Sequence, residues 1–220
     1  AQKNNVPIVI EAEETWWQDA SDQLVAEQMQ VHNKQKVVVY NTIQLYRKDR
    51  LDFLKNSFEL AQKNGYKLGV KLVRGAYLEK ERERALEQGY PSPIHNTKAD
   101  TDKAYNDALK FCIANHPNIN VVAGTHNEES SLLLTKLMAE KGIKSDNAQI
   151  YFSQLYGMSD NISFNLAAHN YNVVKYVPYG PILDVMPYLI RRAEENTSVA
   201  GQTGRELSLI MKEKSRRRNS

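Results

Sequence analysis

The stretch Lys67-Leu-Gly-Val-Lys71-Leu-Val73-Arg74-Gly75-Ala76-Tyr77 decides how the chain is read. Its first seven residues are short of polar groups and carry branched side chains, as a strand buried on both faces should. Gly65 precedes it and Gly75 follows it. Arg74 and Tyr77 place chemistry directly after the strand, at its C-terminal end.

The same pattern repeats outward from there. Similar runs occur at 6–10, 36–42, 119–124, 149–152 and 173–177. Between them lie helical patterns at 18–29, 48–64, 78–88, 100–115, 128–140, 159–169 and 184–196, with a last one at 204–214. Gly65, Gly89 and Gly142 stand where helices should stop. The order is six βα units with one extra helix between the third and fourth strands, which means a parallel sheet with helices outside it. An open doubly wound sheet and a closed (β/α)8 barrel both fit that order. No Gly-x-Gly-x-x-Gly follows any strand, so a dinucleotide fold is not supported. Glu11, Gln44, Arg74, His126, Gln154 and Tyr176 are expected just after strands, the habit of a barrel. A complete barrel takes about 250 residues. The expectation is therefore an α/β, TIM-like (β/α)8 barrel that is incomplete here, with C-terminal helices, as one domain over 1–220.

Composition narrows the function classes. The net charge of +3 is small, and much of the excess sits in Lys212, Lys214, Arg216, Arg217 and Arg218, read as a solvated, frayed end. No nucleic-acid surface is indicated. The single cysteine, Cys112, allows no intrachain disulfide and no cysteine metal cluster, and it reads as a buried structural thiol. No metal site is expected. No apolar run reaches the length of a membrane span, and no signal peptide is visible.

Five constellations could carry chemistry. Tyr188, Arg191, Arg192 and Glu195 fall at i, i+3, i+4 and i+7 on one helical face, on a helix expected to be capped by Asp184. Two arginines side by side suit a carboxylate or phosphate; a surface helix with salt bridges fits the spacing equally. In Lys71–Tyr77, Gly75 could let backbone approach a ligand and Arg74 or Lys71 could meet a pyrophosphate. Gly124-Thr125-His126-Asn127 ends another strand. In Asn41-Thr42-Ile43-Gln44 a buried amide could bond a flat heterocycle. Lys175-Tyr176-Val177-Pro178-Tyr179-Gly180-Pro181 is an aromatic strand end followed by a rigid turn.

Together and in this order, the runs 41–46, 71–77, 124–127, 154–160, 175–181 and 188–196 resemble the proline dehydrogenase family, over about 7–209, and look closer to its monofunctional bacterial and mitochondrial members than to the large bifunctional ones. The resemblance implies FAD-dependent oxidation of L-proline to 1-pyrroline-5-carboxylate, with hydride passing from C5 to flavin N5 and electrons going on to a quinone. It implies that Arg191 and Arg192 pair with the proline carboxylate and that Glu195 holds them. Tyr176, Tyr188 and Leu155 would pack on the pyrrolidine ring, and Tyr77 would close the pocket. Gln44 would face the flavin ring, Lys71 would contact the cofactor, Val73 would lie against the isoalloxazine, and Thr125 and His126 would meet the ribityl-phosphate region. The quinone implies peripheral contact with a respiratory membrane, on the cytoplasmic side of a bacterial inner membrane or the mitochondrial matrix side.

Two departures stand out. Glu11-Ala12-Glu13 occupies the place of the family's Asp-Ala-Glu. The family's active-site lysine belongs to a strand before the first one here, so Glu11 is expected to face the pocket without its lysine, unpaired. From this follow weak FAD binding and little turnover by the chain alone. Two other readings stand beside this one: a lyase using Lys71 or Lys175 as a Schiff-base lysine, and a barrel without turnover serving as a scaffold.

Overall fold

The computed structural model describes residues 2–4, 6–198 and 211–218, and their side chains apart from Gln2 and 191–198. It divides into two compact units, Ala1–Tyr176 and Val177–Ser220.

The first unit holds six strands: β1 Ile8–Ile10, β2 Val39–Gln44, β3 Leu68–Val73, β4 Ile119–Gly124, β5 Ile150–Leu155 and β6 Val173–Tyr176. They form one parallel sheet in the order β1-β2-β3-β4-β5-β6. A doubly wound sheet must reverse its strand order at a switch point. This one never reverses, and right-handed crossovers then place the helices that connect these strands on one face. The α/β reading with barrel-type winding therefore holds, as a half-barrel of six parallel strands.

The helices are α1 Thr15–His32, α2 Arg50–Lys63, α3 Leu78–Gln88, α4 Lys98–Ala114, α5 Glu128–Glu140 and α6 Asp160–Ala168. One apolar core fills the space between them and the sheet. Strands contribute alternate residues to it, Val39, Ile43, Val70, Leu72, Val121, Ala123 and Phe152, and helices contribute Val25, Leu54, Tyr105, Leu109 and Leu134. Cys112 lies in this core at 1% exposure, where burial pushes its thiol pKa well up, so it is the inert structural thiol expected of it.

Strand residues one step out of phase point away from the helices. On that second face, Tyr40, Val122, Val9 and Tyr151 belong to a separate small cluster. Asn120 Nδ2 donates to Tyr40 Oη at 3.3 Å, across the intervening β3. Gly69, in register with Asn120, makes room for this. A Cβ there would sit 2.4 Å from Val37 Cγ1 and 2.5 Å from Val39 O.

Several boundaries move from their sequence expectation, each for a tertiary reason. Helix α1 begins at Thr15, not near 18, because Glu81 of α3 caps it: its carboxylate accepts from Thr15 N and Thr15 Oγ1, both at 2.7 Å. A buried carboxylate at a helix N-terminus satisfies orphan donors and suits the dipole. Strands β2 and β5 run on to Gln44 and Leu155, so Gln44 and Gln154 lie inside strands rather than after them, and Tyr176 is the last residue of β6. Their side chains find partners there; Gln154 accepts from Ser163 Oγ at 3.0 Å and donates to Thr125 O at 3.2 Å. The strands are also not all buried on both faces. β2 is buried throughout, whereas β1 and β6 are half exposed, each having a single strand neighbour among the described residues.

In the second unit, α7 spans Ile182–Ser198. Asp184 therefore sits in its first turn and is not its cap. Residues 211–218 are helical, with Glu213 paired to Arg216 and Arg217. Of the helix expected over 204–214, residues 204–210 lie outside the described residues.

Candidate active site

Parallel registry carries the helix-free face across the sheet. Thr42 aligns with Lys71 and Gln44 with Val73; Lys71 aligns with Val122; Leu155 aligns with Tyr176. Gln44, Lys71, Val73, Leu155 and Tyr176, all expected at the site, thus share one face near the C-terminal ends of four strands. The Lys71 ammonium lies 5.5 Å from the centroid of the Tyr176 ring, although β3 and β6 are separated by two strands.

Glu11 corrects the expectation of an unpaired carboxylate. Lys71 Nζ donates to Glu11 Oε1 as an ion pair, and Thr42 Oγ1 stands 3.4 Å from Glu11 Oε2. A lysine from β3 supplies the partner expected from an earlier strand.

Gln44 is 3% exposed and bridges two loops. Its Nε2 donates to Glu13 O at 2.7 Å and its Oε1 accepts from Ala76 N at 3.3 Å. Tyr77 Oη donates to Glu13 Oε2 at 3.0 Å. Glu14 pairs with Lys80. The segment after β1 and the loop after β3 are thereby tied together above β2. Gly75 does not open a path for a ligand. Its φ of +139° is a glycine conformation, and a Cβ would lie 2.3 Å from the Tyr46 ring, so the space is filled by Tyr46. Burial holds the Tyr46 hydroxyl well above the usual phenol pKa, with the Glu81 carboxylate adding to the shift.

Arg74 is likewise committed within the protein rather than to a pyrophosphate. Its Nε donates to Asp102 at 2.6 Å, one terminal nitrogen to Thr125 Oγ1 at 2.7 Å and the other to Ser130 Oγ at 3.0 Å. Its guanidinium stacks 4.5 Å from the Tyr105 ring. Burial works against ionisation of Asp102, but hydrogen bonds from Lys98 and Arg74 outweigh it and hold the carboxyl below its ordinary value. Thr125, 6% exposed, is fixed by Arg74 and by Asn127 N at 3.0 Å. His126 Nδ1 is 2.9 Å from Ser159 Oγ. Asn127 caps α5 through Ser130 N at 2.9 Å. Thr125 and His126 are thus presented between the starts of α5 and α6.

Neither strand lysine is set up as a Schiff-base nucleophile. Such a lysine needs a desolvated or cation-rich setting to lose its proton, and Lys71 is ion-paired with Glu11. Lys175 donates to Met158 O at 2.7 Å and Asp160 at 2.8 Å. Tyr188 is half-buried on α7. The side chains of Arg191, Arg192 and Glu195 lie outside the described residues; their backbone is helical. Two residues of the site escaped the sequence reading as individuals, Thr42 and Glu13. The runs Asn41-Thr42-Ile43-Gln44 and Glu11-Ala12-Glu13 carried them without a role of their own.

A protein-family model described as proline dehydrogenase matches residues 1–205. Proline dehydrogenase 2, mitochondrial, of Arabidopsis thaliana is 41% identical over 98% of this chain and 46% of its own length. Proline dehydrogenase 1, mitochondrial, of Homo sapiens is 40% identical over 99% of this chain and 37% of its own. The crystal structure of proline utilization A from Bdellovibrio bacteriovorus, inactivated by N-propargylglycine, superposes with a TM-score of 0.82 at 29% identity, over 90% of this chain and 20% of that one. The chain spans less than half the length of these relatives.

Proposed function

The chain belongs to the proline dehydrogenase family, and from that premise we propose that it oxidises L-proline to 1-pyrroline-5-carboxylate by hydride loss from C5 to FAD, with electrons passed on to a quinone. The whole of 1–220 would serve as one catalytic domain. The observation that supports this most is the shared face of Gln44, Lys71, Val73, Leu155 and Tyr176 at the strand ends, where a barrel keeps its chemistry.

The residues present fit a flavin. Val73 and Leu155 offer apolar surface. Among the described residues, Gln44 keeps one amide hydrogen and one lone pair beyond its two loop bonds, and Lys71 keeps two of its three donors beyond its bond to Glu11. When bound, FAD supplies the electron sink that no side chain can. Gln44 and Lys71 would hold the ring, with Thr125 and His126 toward the phosphates. The Lys71 cation would offset negative charge on the ring. Arg191 and Arg192 would bind the substrate carboxylate with Glu195 orienting them, resting on the sequence run 188–196. Holding the carboxylate fixes C5, so positioning supplies much of the rate. A positive pocket also favours the neutral amine that must release hydride. Tyr176, Tyr188 and Leu155 would enclose the pyrrolidine ring, with Tyr77 as a wall.

Among the described residues no helix is long and apolar enough to cross a membrane. The relatives named mitochondrial support a respiratory setting, with peripheral membrane contact for quinone exchange.

The test is to purify the natural full-length protein, measure released flavin, and follow proline-dependent reduction of a quinone analogue. Arg191→Met and Arg192→Met should each raise KM for proline steeply, because a charge-assisted pair is lost. A colourless protein without flavin, or variants that keep the wild-type KM, would overturn the assignment.

A further inference from the structure

We propose that Glu13 is a positioning residue that sets the hydroxyl of Tyr77, and through it the wall of the proline pocket. This rests on the reading just given.

Glu13 is exposed, so it is not there to fill a core. Its backbone is nevertheless held at both ends. Its N–H donates to Gln18 Oε1 at 2.8 Å, and Gln18 is itself buried at 1% exposure and bonded to Asp22 at 2.8 Å. Its carbonyl accepts from Gln44 Nε2 at 2.7 Å. The carboxylate is thus delivered from a fixed platform on the loop that opens α1.

Tyr77 is fixed differently. It stands at the start of α3, where its carbonyl accepts the first helical hydrogen bond, from Glu81 N at 2.9 Å. Its side chain makes no capping bond. The Tyr46 ring fills the place a Cβ of Gly75 would take, so the loop before Tyr77 packs against it. The Tyr77 ring turns about two side-chain torsions, and the 3.0 Å bond from Tyr77 Oη to Glu13 Oε2 constrains them. A phenol donating to a carboxylate is a charge-assisted bond, stronger than a neutral one. Lys80, 5.9 Å from the Tyr77 ring centroid, pairs with Glu14, which leaves the Glu13 oxygen to the phenol.

If the bond only braced two loops, its loss would appear in thermal stability and leave substrate binding alone. As a positioning device it acts on KM. The experiment is a double-mutant cycle in the natural full-length holoenzyme. Glu13→Ala and Tyr77→Phe should each raise KM for proline by roughly 5- to 20-fold, with kcat changed much less and flavin content retained. Because both remove the same bond, the double variant should be no worse than the worse single. Glu13→Gln, whose amide oxygen can still accept from the phenol, should recover most of the loss. Should Glu13→Ala fail to fold, Glu13→Gln and Tyr77→Phe carry the same test: the glutamine must be the milder and add nothing to the phenylalanine. Multiplying effects, a fall in kcat alone, or an unchanged KM overturns the positioning role while leaving proline oxidation intact. A wild-type enzyme that does not oxidise proline overturns the underlying reading, and this inference with it.

Discussion

Lys71 on β3 and the Glu11 carboxylate beyond the end of β1 form an ion pair across Thr42 of β2. The two residues are 60 positions apart in sequence and are joined by a sheet in which their strands are not neighbours. The Lys71 side chain is 13% exposed and that of Glu11 44%, so the pair stands at the rim of the face, partly in water.

That placement separates stability from cofactor binding. Replacing Lys71 by Met should change folding stability by less than about 1 kcal/mol, as for other solvent-screened pairs. FAD affinity should fall by roughly tenfold or more, because the proposed flavin site loses its cation. Flavin titration beside thermal melts checks this. A large loss of melting temperature with unchanged flavin affinity would make Lys71 a structural residue.

Arg74 should behave in the opposite way. It joins the end of β3 to α4, to α5 and to Thr125 by three hydrogen bonds. Arg74→Met leaves Asp102 to Lys98 alone and takes a donor from Thr125 and from Ser130, and should cost about 1–3 kcal/mol in urea unfolding. Arg74→Lys should rescue little, since one ammonium cannot reproduce a planar fork with three separate acceptors.

The depressed Asp102 carboxyl makes a pH prediction. A carboxylate whose folded pKa lies below its unfolded value of 3.8 contributes stability above that value. The contribution is lost as pH falls through the lower, folded pKa. Asp102→Asn should therefore be less stable than wild type at pH 5–7, and the gap should start to close only as pH falls below about 3.8. A gap that persists unchanged to pH 2 would show that Asp102 contributes by shape, not by charge.

Gly69 should tolerate no side chain. Gly69→Ala drives a Cβ against Val37 and the Val39 carbonyl. An overpacked, backbone-bounded site of this kind should cost about 2–3 kcal/mol. Equilibrium unfolding measures it. Gly65, with nothing within 4 Å of a Cβ but a φ of +65°, should cost only about 1 kcal/mol as alanine.

Strand period, helix period and the stops at Gly65 and Gly89 are local properties, and they placed β3, β4, α3 and α5 to within a residue. The order of elements sufficed for a parallel sheet with helices outside it. The residues of the helix-free face, Gln44, Lys71, Val73, Leu155 and Tyr176, were nameable from their positions near strand ends and from the resemblance those runs carry. What depends on distant chain was not legible. Glu81 extends α1 from 66 residues away. Tyr46 occupies the room at Gly75 that looked reserved for a ligand. Arg74 turns inward to Asp102 rather than outward to an anion. Glu11 finds in Lys71 the lysine that strand order along the chain could not supply. The sequence by itself determined which residues face which side of each strand, because that alternation is set by the two-residue repeat of the backbone. Only the tertiary structure decided which of those side chains are already committed to one another. Their partners are set by parallel register and by loops meeting over the sheet, and neither leaves a periodic mark on the chain.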